Sequence, residues 1–208
     1  MATSNEPRRR MPASERREQL LAAAREVFAT RGYHRASIDE IAGAAGVSKA
    51  LIYEHFASKR DLHGALLEAT VAELLGRLAW AAGADEPGAV RLRAGIDAFL
   101  AFVEERREAW QLLFRDSADP EVADLVARME AAATRAIAAL IATDPGSRAD
   151  AGDPALGAIA AQLVGAMQGL ANWWHEHRSV PRAELVDRAM DFAWVGLERL
   201  AAGERAPR

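Results

Sequence analysis

The side chains best placed to bind a charged partner lie in one short stretch, residues 37–56. Lys49, Tyr53 and His55 supply an ammonium, a phenol and an imidazole, which are groups that donate hydrogen bonds to phosphate oxygens and base edges. The chain has no G-x-S-x-G motif, no phosphate-cradling glycine loop and no cysteine, so none of these common catalytic motifs accompanies the three side chains. The stretch therefore predicts recognition of a polyanion and not catalysis.

Two short helices must position these groups. The first has one apolar face, formed by residues at spacings of three and four, namely Ile38, Ile41, Ala42 and Ala45. Ser37 is expected to cap its N-terminus, and Gly46 to end it in a left-handed conformation. Ser48 is expected to cap the second helix, which turns Ile52 and Phe56 inward. Its outward positions are Ala50, Leu51, Tyr53 and Glu54, with Lys49 at the border.

Such a short helix is unstable alone in water, so its outward face must be presented by the packing of its inward face. Two helices joined by a glycine turn, the second carrying polar groups outward, are typical of the helix-turn-helix that places a recognition helix in the major groove of DNA. An ordinary helical hairpin inside a bundle core is the alternative interpretation. The charge distribution along the chain favours the helix-turn-helix interpretation.

Charge is divided unevenly along the chain. Residues 1–60 contain 11 Lys and Arg against 7 Asp and Glu, a net charge of +4, although the whole chain carries −4. The remaining residues contain 15 against 23, a net charge of −8. Lys49 and Lys59, the two lysines of the chain, lie in or beside the predicted motif. This distribution predicts a polyanionic partner for the first quarter alone.

Residues 17–67 resemble the DNA-binding domain of the TetR family of bacterial transcriptional regulators. The resemblance is carried by Ser37, Ile41-Ala42, Ala45-Gly46-Val47-Ser48, Ile52-Tyr53, His55-Phe56, Ser58-Lys59 and Leu62. It implies an all-α protein with a three-helix head and a helical domain for dimerisation and effector binding. It also implies that Lys49, Ala50 and Leu51 lie near base edges, and that the DNA backbone is contacted mainly by Ser37, Tyr53, His55 and Lys59. Ser48 completes the candidate DNA-binding set.

Two positions depart from the commonest pattern of that family. Ala50 replaces a frequent glycine or proline, and Glu54 stands where an aromatic or basic residue is common. A carboxylate at that position either accepts from a cytosine amino group or points away from the phosphates. We favour the second orientation, so Glu54 is not a candidate contact.

The chain is expected to divide into a disordered basic arm (residues 1–12), a DNA-binding domain (13–57) and a helical effector-binding and dimerisation domain (58–208). The arm, with three consecutive arginines, either follows a DNA groove or is a solvated tail. Ser14 is expected to cap the first helix, and Ser58 a long helix that continues to about Trp80. Further helices are expected at about 89–106, 107–115, 120–143, 156–177 and 181–202.

Small residues recur every four positions in the helix near 156–177, at Gly157, Ala161, Gly165 and Gly169. They leave a groove that another helix can approach closely. Together with the apolar last helix, they predict a four-helix interface between two copies of the chain, with a purely intramolecular core as the alternative.

The central helices are rich in bulky apolar side chains. A mostly apolar cavity with a few polar groups is the usual form of a small-molecule site. The candidate ligand-binding residues are Phe99, Phe102, Trp110, Phe114, Met129, Met167, Gln168 and Asn172, and Trp80 belongs to the same aromatic group. Taken one at a time, these side chains are better explained as core packing, and the prediction of a shared ligand site rests on the resemblance to the TetR family.

Several other classes of protein are disfavoured. His175 and His177 lie two apart on a helix and diverge, so no metal site or cofactor is expected. Residues 155–174 are uncharged but contain two glutamines and an asparagine without a flanking basic cluster, so no membrane span is expected. The N-terminus is polar and Arg-rich and has no apolar run typical of a signal peptide, so export is not expected and the predicted location is cytoplasmic.

The prediction is a homodimeric regulator that binds double-stranded operator DNA and is not an enzyme. A repressor released from a palindromic operator by a small apolar or amphipathic effector is the favoured form. A sequence-tolerant architectural DNA-binding protein is the first alternative, although the acidic body argues against it. A helical enzyme with an incidental motif is the second, and it would need convergent catalytic groups.

Overall fold

The computed structural model describes residues 11–83, 86–107, 110, 120–143 and 153–201. All regular structure among these residues is α-helical, which confirms the predicted fold class. The helices are α1 (Ala13–Arg31), α2 (Ile38–Ala45), α3 (Lys49–His55), α4 (Lys59–Ala82), α5 (Gly88–Glu105), α6 (Pro120–Ala142), α7 (Pro154–Glu176) and α8 (Arg182–Ala201). Most of the predicted arm and of the predicted helix at 107–115 lies outside the described residues.

The chain separates into two compact units, with the boundary between Glu68 and Ala69, inside α4. In the first unit, α1 packs on α2 and α2 packs on α3. In the second unit, α5 packs against α7 and α8, and α6 packs against α7.

The core of the first unit follows the predicted helical periodicity. Ile41 on α2 and Ile52 on α3 are fully buried, as are Leu20 and Phe28 on α1. Burying one such side chain contributes about 1.5–3 kcal/mol, which is how two helices of 8 and 7 residues are held in place. The cap predicted at Ser14 is wrong, because α1 already begins at Ala13, with Pro12 at the N-cap and no side-chain hydrogen bond there.

The core of the second unit joins α5, α7 and α8. Its buried members are Ile96, Leu100, Val103, Trp110, Ala171, Trp174, Leu185, Val186 and Ala189. At its edge, the Trp174 indole donates to the carbonyl of Val180 at 2.9 Å. The guanidinium of Arg182 on α8 pairs with Asp97 and Glu104 of α5, each at 3.0 Å.

The outer surface of α7 is apolar and largely uncovered within one protomer. By length and composition this helix could cross a membrane, but core helices of soluble proteins have the same length and composition. Only 17% of its most apolar window is buried inside the protomer. Ala161, Gly165 and Gly169 lie on the exposed side, and Trp173 follows them with 42% exposure.

Candidate nucleic-acid interface and ligand site

The N-terminus of α2 is fixed by a reciprocal pair of hydrogen bonds between Ser37 and Glu40. The Ser37 hydroxyl accepts from the Glu40 amide at 3.2 Å, while the Glu40 carboxylate accepts from the Ser37 amide at 2.9 Å. These bonds to Ser37 lower the pKa of Glu40. At the other end, Gly46 has φ 66° and ψ 33°, the left-handed conformation that glycine adopts at little cost. Both ends of α2 are therefore fixed by Ser37 and Gly46, as the sequence predicted.

The recognition helix α3 presents the expected face to solvent. Ser48 caps it by accepting from the Leu51 amide at 3.3 Å. Ile52 and Phe56 are buried at 0% and 2% exposure, which confirms the predicted inward face. Lys49, Ala50 and Tyr53 are exposed, whereas Leu51 and His55 are half-buried.

Lys49 is held by a partner on the preceding helix. Its ammonium donates to Oδ2 of Asp39 at 2.8 Å, and both side chains remain largely exposed. This hydrogen bond raises the pKa of Lys49. Sequence reasoning missed Asp39, because nothing in its position on α2 indicates a partner ten residues further along.

Lys59 is engaged with the loop that connects α1 to α2. Its ammonium donates to the carbonyls of Tyr33 at 2.8 Å, Ala36 at 3.0 Å and His34 at 3.4 Å. It also lies 4.5 Å from the centre of the Tyr33 ring. An ammonium has three protons, so the phosphate contact predicted for Lys59 requires it to share or leave these carbonyls.

An aromatic cluster supports that loop from behind. The Tyr33 ring lies 5.8 Å from the ring of Phe28 and 4.4 Å from that of His63. Phe28 and His63 meet edge to face at 5.3 Å. Tyr33 therefore packs on the core of the first unit. Ser37 follows this loop directly, so the cluster and Lys59 together set where α2 begins.

Part of the predicted ligand-binding set comes together between α5 and α7. The Trp110 indole donates to Oδ1 of Asn172 at 3.0 Å and meets the Phe99 ring edge to face at 5.4 Å. Met167 packs against the same core cluster. The cluster thus joins aromatic and thioether side chains around one amide group.

The other members of that set lie elsewhere. Phe102 is fully buried, with the Arg77 guanidinium 5.7 Å from its ring centre. Met129 is buried on α6, Gln168 is half-buried on α7, and Phe114 lies outside the described residues. The grouping of Trp80 with these aromatic side chains is wrong, because Trp80 is 85% exposed.

The two histidines near the end of α7 engage different partners. The His177 ring stacks on Trp173 with centroids 4.1 Å apart, and its Nδ1 lies 2.8 Å from the Trp173 carbonyl. His175 Nε2 lies 3.3 Å from the guanidinium of Arg178. No group of three or more potential metal ligands occurs among the residues that the structure describes.

A buried three-helix core that presents a capped, exposed second helix after a glycine turn defines a helix-turn-helix DNA-binding protein. Residues 20–66 match the family model described as bacterial regulatory proteins, tetR family, and residues 89–196 match a Tetracyclin repressor-like C-terminal domain. The chain therefore belongs to the TetR family and is a DNA-binding transcriptional regulator.

Known proteins resemble the chain over nearly its whole length. The HTH-type transcriptional activator FasR of Mycolicibacterium smegmatis is 37% identical over 202 residues, which are 96% of this chain and 90% of the relative. A TetR-like regulator from Rhodococcus has a TM-score of 0.72 at 28% identity, over 91% of this chain and 99% of that one. The fold is also that of FadR from Bacillus subtilis, solved in complex with stearoyl-CoA, with a TM-score of 0.68 at 17% identity, over 90% and 99% of the two chains.

Proposed function

We propose that this regulator is a cytoplasmic homodimeric repressor that reads a palindromic operator and leaves it when a small apolar or amphipathic ligand binds. The observation that carries the DNA-reading part is the face of α3. Lys49, Ala50 and Tyr53 point into solvent from a helix whose opposite side is fully buried at Ile52. A surface fixed in this way can enter a major groove without paying to order itself.

Each predicted contact residue has a role in this proposal. Lys49, Ala50 and Leu51 lie at base edges, where an ammonium donates to guanine acceptors and methyl groups meet thymine. The DNA backbone is contacted by Ser37, Ser48, Tyr53, His55 and Lys59. Such phosphate contacts set the register of the protein and make its affinity salt-dependent, whereas the base contacts select the sequence.

A second copy of the chain covers the exposed side of α7. The small side chains there leave room for a helix to approach closely, and Trp173 and Phe192 add exposed aromatic surface on α7 and α8. Phe192 is 74% exposed within one protomer, and exposed apolar side chains mark a protein–protein contact when they belong to a larger apolar surface. Pairing these helices as a four-helix interface buries that surface and brings two reading heads to one operator.

The effector site lies around the Trp110–Asn172 hydrogen bond. Phe99 and Met167 supply apolar surface beside it, and the amide of Asn172 can exchange its indole partner for a ligand group. A long-chain acyl compound suits this mixture of groups. Stearoyl-CoA is the ligand in the structure of the Bacillus subtilis neighbour, which makes it a reasonable first probe.

Selection from a library of random-sequence duplexes tests the DNA-reading proposal. We expect the wild-type protein to enrich a palindrome whose half-sites are separated by about one helical turn, or about 10 base pairs. Enrichment of no sequence, with equal affinity for all duplexes, would favour the architectural alternative. Footprinting on DNA flanking the protein's own gene then shows whether the palindrome is used there.

Titration with stearoyl-CoA and with free stearate tests the effector proposal, with operator affinity measured in the presence and absence of each ligand. A hundredfold weakening of operator binding corresponds to about 2.7 kcal/mol of coupling, and the operator must weaken the ligand by the same factor. Tight ligand binding without any effect on operator affinity would exclude release by that ligand and leave the DNA-binding proposal intact.

Activation is the second candidate function, because the relative that aligns with 96% of this chain is named an activator. Transcription in vitro from a promoter carrying the selected operator separates the two. A repressor lowers the transcript yield as its concentration rises, whereas an activator raises it from a template that carries the operator upstream of the promoter.

A further inference from the structure

The ion pair between Lys49 on α3 and Asp39 on α2 places a hydrogen-bond donor and an acceptor side by side on the surface proposed to contact DNA. The two side chains belong to different helices and meet at 2.8 Å, with exposures of 49% and 67%. One of the three ammonium protons is used in this contact, as is one of the two carboxylate oxygens. The remaining protons and the second oxygen are available to a partner that offers acceptors next to a donor.

A G·C base pair offers that pattern in the major groove. Guanine presents two adjacent acceptors, O6 and N7, and its cytosine presents the N4 amino donor. A lysine ammonium with two spare protons suits the guanine, and an aspartate oxygen suits the cytosine amino group. At an A·T pair, in contrast, the O4 acceptor and the methyl group of thymine would lie against the carboxylate and would bury it without a donor.

We propose that Lys49 and Asp39 act together as the determinant that reads one G·C base pair in each half-site. This inference rests on the proposed function, since it requires α3 to lie in the major groove. Asp39 contributes mainly by exclusion. Its charge repels phosphates, and its second oxygen gains a donor from the DNA only where a base amino group meets it, so a base pair that places no amino group there is penalised and not merely unrewarded. Because the pair is exposed, it is weak enough to rearrange against a base.

Selection from a random-sequence duplex library, carried out in parallel for wild type, Asp39→Ala, Lys49→Met and Glu26→Ala, tests this proposal. Glu26 is an exposed acid on α1 of the same unit, so its variant controls for the loss of one negative charge. We expect wild type to select G·C at one position of each half-site. Asp39→Ala and Lys49→Met should both lose the preference at that position and keep it elsewhere, whereas Glu26→Ala should match wild type.

Dissociation constants on the selected operator give the magnitude. Changing that base pair from G·C to A·T should weaken wild type by about tenfold to a hundredfold, and should weaken Asp39→Ala by less than about threefold. Thermal unfolding of each variant establishes that it is folded. We expect all of the variants to fold, because the substituted positions are exposed.

Two results would overturn the joint reading. In the first, Asp39→Ala binds every duplex more tightly by the same factor and keeps all base preferences, so that Asp39 is only a repulsive charge. In the second, Asp39→Ala and Lys49→Met relax different positions. Failure of the proposed function itself looks different, because wild type would then enrich no sequence at all.

Discussion

At the scale of single residues, Lys59 illustrates a role that only the fold reveals. A lysine beside a helix N-terminus in a basic head predicts a phosphate contact, yet its ammonium lies on three carbonyls of the loop before α2. Those carbonyls belong to residues 23 to 26 positions earlier in the chain. Contacts at such separations depend on how α1 and α4 pack, and no local pattern encodes them.

Replacement of Lys59 by methionine removes the charge and keeps the apolar stem. We expect the free energy of unfolding to fall by about 1–3 kcal/mol, since hydrogen bonds from a charged donor are lost and the carbonyls of a half-buried loop are left to water. Denaturant titration followed by circular dichroism measures this. An unchanged free energy of unfolding would contradict the structural role.

The salt dependence of DNA binding by the same variant separates the two roles of Lys59. Because Lys59 is proposed to contact the DNA backbone, the slope of log K against log salt concentration should be lower by about one in this variant. An unchanged slope with a lower affinity would show instead that the ammonium stays on the loop carbonyls in the complex.

At the scale of the elements, local patterns predicted helices α2 and α3 well, because the signals that bound these helices are short-range. Ser37 and Gly46 bound α2 as expected, and the apolar spacing placed Ile41 and Ile52 in the core. The failed cap at Ser14 shows the limit of such signals. The chain is already helical at Ala13, which leaves Ser14 inside the first turn, where a hydroxyl is not an N-cap.

The capping pair at α2 predicts a pH dependence. Hydrogen bonds from Ser37 lower the pKa of Glu40 from its ordinary value of 4.5, so the folded form favours the charged carboxylate. Its stabilising effect is therefore fully present above the ordinary pKa and is lost as the pH falls through the lowered one. We expect thermal midpoints to fall more steeply with acidification in wild type than in Glu40→Gln.

Replacement of Ser37, the other member of the capping pair, supplies the control for this experiment. Ser37→Ala should flatten the same pH dependence, because the Glu40 carboxylate then loses the hydroxyl that it pairs with, and it should cost about 0.5–2 kcal/mol as a lost N-cap. If Glu40→Gln loses stability with acid as steeply as wild type does, the capping pair is not the source.

At the scale of the whole molecule, composition indicated an apolar α7 but not which aromatic groups are covered. Trp80 and Trp110 look equivalent as residue types, yet one is 85% exposed and the other is buried against Asn172. Residue type does not show which side chain a neighbouring helix covers. The candidate ligand site was therefore only partly foreseeable from sequence.

Gly165→Leu tests assembly with little confusion from folding. A Cβ added at Gly165 meets nothing within 4 Å in the protomer, so a side chain there begins in open space and is expected to clash only with the proposed partner helix. We expect the variant to remain helical and to shift from dimer to monomer. Its operator affinity should fall sharply, because two half-sites need two heads.

Gly76→Leu is the matched control for assembly. Gly76 is also an exposed helical glycine with open space around it, but it lies on α4. Sedimentation velocity should show a dimer for Gly76→Leu and a monomer for Gly165→Leu. A stable Gly165→Leu dimer would remove this side of α7 from the interface.

The ratio of operator affinity to non-specific affinity, measured for wild type and Lys49→Ala at one salt concentration, tests the central claim most directly. If α3 reads base edges through Lys49, the variant should keep most of its non-specific affinity and lose about 1–3 kcal/mol of discrimination. The same ratio for both proteins would contradict the assignment of α3 as the recognition helix.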